Sequence, residues 1–135
     1  MIVTYGDLKS FDVDNEFIEW KHFGYINSLV QMNLLYRASD VMINPSLDDM
    51  GPTTLQEAFL NDLFIVSFDM GLARDLIFDN INGYIIKNFD VDDFTNKTIT
   101  KLIEKNYFMP IDHENIKKLK IFCNPDFQAK KFLEI

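Results

Sequence analysis

The sequence has a single cysteine, Cys123, in 135 residues. That excludes an internal disulfide and a cysteine-based zinc site, and makes the cytoplasm the default address. No apolar run approaches the roughly 18 residues of a membrane-spanning helix. Residues 1–20 hold Asp7, Asp12, Asp14, Glu16 and Glu19, a composition unlike a secretory signal peptide. Basic residues are scarce: 13 Lys+Arg stand against 21 Asp+Glu, for a net charge of −8. Nonspecific nucleic-acid binding is driven by neutralising phosphates, so this balance argues against it.

What the chain does have is apolar bulk. Hydrophobic residues make up 47% and include 13 Phe, which excludes intrinsic disorder. The length suits one domain, residues 1–135, with a substantial core. The charge is uneven. Residues 1–96 carry 5 Lys/Arg and 16 Asp/Glu, whereas 97–135 carry 8 and 5. The lysines of the second part read as the solvated face of C-terminal helices, with at most peripheral contact to the inner face of a membrane.

Short β-rich runs alternate with helical patterns. Strands are expected at Ile2–Tyr5, Phe17–His22, Val41–Ile43, Phe64–Phe68 and Tyr84–Ile86. The run Phe64-Ile65-Val66-Ser67-Phe68 is of the continuous kind found in buried parallel strands. Helices are expected after Ser28, over Pro52–Leu60 and Leu72–Phe78, from Asp90 to Lys105, and near 112–121 and 125–134. Asp90 and Asn124 read as caps. This is an α/β, Rossmann-like parallel sheet of about five strands with helices on both faces. Such sheets bind ligands beyond the carboxyl ends of their strands.

The richest strand-to-helix segment is residues 44–58, Asn-Pro-Ser-Leu-Asp-Asp-Met-Gly-Pro-Thr-Thr-Leu-Gln-Glu-Ala. Pro52 suits the first helical position, leaving free amides at Thr53, Thr54 and Leu55 to meet a phosphate or a sugar hydroxyl. Glu57 is a good acceptor for paired hydroxyls such as those of a ribose. Thr53 with Gln56, or Thr54 with Glu57, equally fits a capping box, and Asp48 and Asp49 fit an ordinary turn. His22, His113 and Cys123 have no spacing that suits a metal or a nucleophile.

The stretch Tyr36-Arg37-Ala38-Ser39-Asp40-Val41-Met42-Ile43-Asn44-Pro45-Ser46 resembles the "Y-x-A-A-D-v-f-v-x-P-S" segment of retaining glycosyltransferases of the GT-B fold, glycosyltransferase family 4. Asp49 and Glu57 stand at the spacing of that family's E-x7-E motif, with Asp in place of the first Glu. The local form is most similar to a subgroup from bacterial surface-polysaccharide synthesis. Val66–Gly71, Asp75–Ile77, Asn82–Tyr84 and Phe122–Ile135 match later family segments in order.

The resemblance implies a C-terminal, donor-binding domain for a nucleotide-diphosphate sugar of UDP or GDP type, with no metal and no further cofactor. Glu57 would bind the ribose hydroxyls. Asp49 would be the catalytic residue, facing the transferred sugar and standing where the first acid of the family's motif stands. Gly51, Thr53 and Thr54 would offer amides to sugar or diphosphate, and Gly24 would line the nucleotide side. The acceptor would be a saccharide or a lipid-linked saccharide.

The sequence departs from the family at Asp62, where a helix-ending glycine is usual, and at Phe64 and Leu72. It has no counterpart of the family's first strand, of the loop supplying an Arg and a Lys to the donor phosphates, or of the N-terminal acceptor domain. A fragment, a separately encoded half that needs a partner chain, and a decayed gene product are all consistent with this. The alternative function is a non-catalytic remnant or interaction module. Turnover by the isolated chain is not expected, because transfer needs a second domain to position the acceptor and exclude water. The strands flanking the missing one would either pair directly or leave open edges.

Overall fold

The computed structural model describes residues 1–7, 18–105 and 113–133. The chain forms two compact units, Met1–Leu35 and Tyr36–Ile135.

In the first unit, β1 (Ile2–Thr4) and β2 (Trp20–His22) pair in parallel, with Ile2 opposite Trp20 and Thr4 opposite His22. Residues 18 and 19 precede β2 rather than extending it, and Phe17, the expected start of that strand, lies outside the described residues. The Thr4 hydroxyl holds the pair together: it accepts from Trp20 Nε1 at 2.9 Å and lies 3.1 Å from His22 Nδ1. Beyond the strands the Gly6 N–H donates to the Gly24 carbonyl at 2.8 Å. Both glycines are left-handed, with φ of 99° and 65°, a conformation that costs any L side chain. Helix α1 (Leu29–Arg37) begins in this unit and ends in the next, and Ser28 Oγ caps it by accepting from the Gln31 N–H.

In the second unit, β3 (Val41–Asn44), β4 (Phe64–Phe68) and β5 (Gly83–Ile86) form a parallel sheet in the order β3-β4-β5. All five residues of β4 are buried. Successive side chains of a strand point to opposite faces, so both faces of β4 are covered, as its apolar run requires. Helices α2 (Thr53–Leu60) and α4 (Val91–Glu104) both pack on it. Phe68 meets Phe94 of α4 at 4.8 Å between ring centroids, and Lys101 of α4 lays its ammonium 4.1 Å from the Phe64 ring centre. The core continues through Leu55, Ala58 and Phe59 of α2 and through Ile86. Asn44 and Ser67, opposite each other on β3 and β4, are buried and joined by a 3.0 Å hydrogen bond from Asn44 Nδ2.

Helix α3 (Ala73–Leu76) is shorter than the expected Leu72–Phe78. The cause is Asn82. Its buried amide donates to the Leu76 carbonyl at 2.8 Å and its Oδ1 accepts the Phe78 N–H at 2.7 Å, so it takes the backbone groups that would continue the helix. Helix α4 carries its expected cap, with Asp90 accepting from the Asp93 N–H at 2.9 Å. Helices α5 (Glu114–Phe122) and α6 (Pro125–Leu133) follow, the latter capped by Asn124. Among the described residues no helix is long and apolar enough to cross a membrane.

The parallel α/β class is as the sequence indicates, and the five strands among the described residues divide into a pair and a triplet.

Candidate functional site

Three segments leave the carboxyl ends of the parallel triplet: residues 45–52, 69–72 and 87–90. The first carries the acidic residues and leads into α2. Pro52 is not the first helical residue but precedes it, with φ −63° and an extended ψ of 115°. Its ring fixes φ, while its carbonyl turns to accept the Leu55 N–H at 3.1 Å. The Leu55 amide is therefore engaged rather than free. Those of Thr53 and Thr54 have no partner among the described residues, which leaves two donors at the start of α2.

Neither capping box forms, since no side chain caps α2. Glu57, the fifth residue of the helix, turns its carboxylate elsewhere: Tyr36 Oη donates to its Oε2 at 2.8 Å. Tyr36 is 3% exposed and lies in the last turn of α1, so a buried phenol fixes a half-buried carboxylate. The motif around Tyr36 gives no sign in the sequence that this tyrosine is the partner of Glu57. The available signal was chemical, because a buried tyrosine hydroxyl requires an acceptor.

Asp49 is exposed, and its Oδ1 accepts the Gly51 N–H at 3.0 Å. This is the turn that the residue types allow. It engages the Gly51 amide, which the resemblance directs at the sugar. Beneath the turn lies Gly71, with φ 41°. A methyl group there would stand 2.2 Å from the Asp49 carbonyl oxygen and 2.7 Å from that of Met50. The acidic loop thus rests directly on the backbone of the segment after β4. Asp49, Gly51, Thr53, Thr54 and Glu57 all belong to the second unit, and Gly24 belongs to the first.

The segment after β4 also carries charge. Arg74 Nε donates to Asp69 Oδ1 at 2.6 Å, and its Nη2 to the Asp69 carbonyl at 3.2 Å. His22 is taken up with Thr4, and His113 lies against the Phe78 ring at a tilt of 38°, with centroids 5.7 Å apart. Among the described residues no three His, Cys, Asp or Glu side chains are grouped to hold a metal ion.

A family model described as "Glycosyl transferases group 1" matches residues 18–119, more than half of the chain. The chain matches no curated protein and no solved structure.

Proposed function

The chain belongs to the group 1 glycosyl transferases, and on that premise we propose that residues 1–135 form the donor-binding side of a retaining, family 4 type enzyme of the bacterial surface-polysaccharide kind. The donor is a nucleotide-diphosphate sugar of UDP or GDP type, and no further cofactor is involved. The acceptor is a saccharide or a lipid-linked saccharide, presented by a further domain or a partner chain.

The observation that carries this reading is the Tyr36–Glu57 hydrogen bond. It leaves a carboxylate oriented rather than spent on capping its own helix, and an oriented carboxylate is what paired ribose hydroxyls need. The free Thr53 and Thr54 amides support the diphosphate role, because departure of a diphosphate calls for fixed donors where negative charge develops. Asp49 keeps Oδ2 available beside the transferred sugar.

Thermal shift and calorimetry with UDP- and GDP-sugars test this. Donor should raise the melting temperature of the wild type, by linkage, and Glu57→Ala should abolish the shift. No shift with any donor defeats the reading, and an unchanged Glu57→Ala response removes Glu57 from the site.

The engaged Gly51 amide and the acid surplus of residues 1–96 favour a second reading, a non-catalytic module of the same fold. Sugar transfer by the isolated chain would overturn it.

A further inference from the structure

A diphosphate donor brings negative charge to a sheet edge that already carries Asp48, Asp49 and Glu57. Cations are few there. Between the ends of β3, β4 and β5 and the helices that follow, counting α3, the only basic residues are Arg74 and Lys87.

Their positions differ. Lys87 follows β5, two strands from β3 and hence about 9.6 Å across the sheet. Arg74 follows β4, the direct neighbour of β3, and lies three residues beyond Gly71, the seat of the Asp49–Met50 backbone. The Arg74 guanidinium is also oriented. Asp69 holds Nε through its carboxylate and Nη2 through its carbonyl, so one edge of the planar group is fixed. Nη1 and the second Nη2 hydrogen have no partner among the described residues, and the side chain is 64% exposed. An exposed ion pair contributes little to stability. A guanidinium gripped on one edge and open on the other has the fork geometry that recognises phosphate oxygens.

We propose that Arg74, oriented by Asp69, is the cationic contact for the diphosphate of the donor. This rests on the donor-binding reading above and adds the residue that offsets the charge of the ligand. Arg74 meets the phosphate oxygens with its free edge, and Asp69 acts only as a positioning residue.

Calorimetry of the full chain with UDP and GDP tests it, at several salt concentrations, for wild type, Arg74→Ala, Arg74→Lys and Lys87→Ala. Arg74→Ala should weaken diphosphate binding about tenfold or more. It should also flatten the salt dependence of the dissociation constant, because the screened attraction is gone. Arg74→Lys should recover part of the affinity, and Lys87→Ala should bind as wild type. Melting temperatures should be unchanged, since the side chain is exposed. Wild-type binding with an unaffected Arg74→Ala overturns this inference alone. An equal loss in Lys87→Ala, or a loss with an unaltered salt slope, overturns it as well. If neither nucleotide binds the wild type, the donor-binding reading fails and this inference fails with it.

Discussion

Tyr36 donates its hydroxyl to Glu57 across 21 residues of sequence, so the last turn of α1 sets the carboxylate in the middle of α2. Removing only that hydroxyl isolates the effect. Tyr36→Phe should cost about 1.5–3 kcal/mol in chemical denaturation, the usual loss for a hydrogen bond to a charged group. The same variant should weaken donor binding, because Glu57 loses its orientation. A denaturation midpoint equal to that of the wild type would show that the bond contributes nothing.

Gly71 has no room for a side chain. Gly71→Ala would drive a methyl group into the Asp49 and Met50 carbonyls at a φ of 41°. The expected cost is about 2–4 kcal/mol, combining overpacking with backbone strain. The acidic loop should lift, which hydrogen exchange would register as faster exchange at the Gly51 amide. Slow exchange retained at Gly51 would mean that the loop does not depend on its seat.

Asp62 occupies the position where a glycine is usual, and its φ is 63°. Its carboxylate pairs with Lys120. Asp62→Gly should relieve about 1 kcal/mol of backbone strain while losing a pair worth roughly 0–1 kcal/mol. Asp62→Ala loses the pair and keeps the strain. The glycine variant should therefore melt several degrees above the alanine one. Equal melting temperatures would refute the strain assignment.

Asn82 is fully buried and satisfies two backbone groups at the end of α3. Asn82→Ala strands the Phe78 N–H and the Leu76 carbonyl, for an expected loss of about 2–4 kcal/mol. Differential scanning calorimetry measures it directly. A loss well under 1 kcal/mol would mean that water takes over both groups.

What could be read from the sequence was local in origin. The run Phe64–Phe68 announces a strand covered on both faces, because nothing in it is polar enough to face water except Ser67. Asp90 and Asn124 announce helix starts because each cap bonds within three residues of itself. The site segment was legible as a segment, since its acids and threonines lie in one short stretch. Its internal wiring was not. Whether Glu57 caps α2 or points elsewhere depends on Tyr36, and whether α3 runs on past Leu76 depends on Asn82. The engaged Leu55 amide depends on the ψ of Pro52, which the proline ring does not fix. These outcomes turn on partners or torsions that a pattern of residue types does not carry.

The buried Asn44–Ser67 pair has a consequence for where the acidic loop stands. A donor and an acceptor enclosed on facing strands can be satisfied in one alignment only. Sliding β3 by a single residue would turn Asn44 to the opposite face and strand its amide. It would also carry the start of the 45–52 segment along the sheet by about 3.3 Å, more than the length of a hydrogen bond. One amide and one hydroxyl thus act as a detent, and the height at which Asp49 and the start of α2 sit above the sheet is set in discrete steps rather than by gradual adjustment.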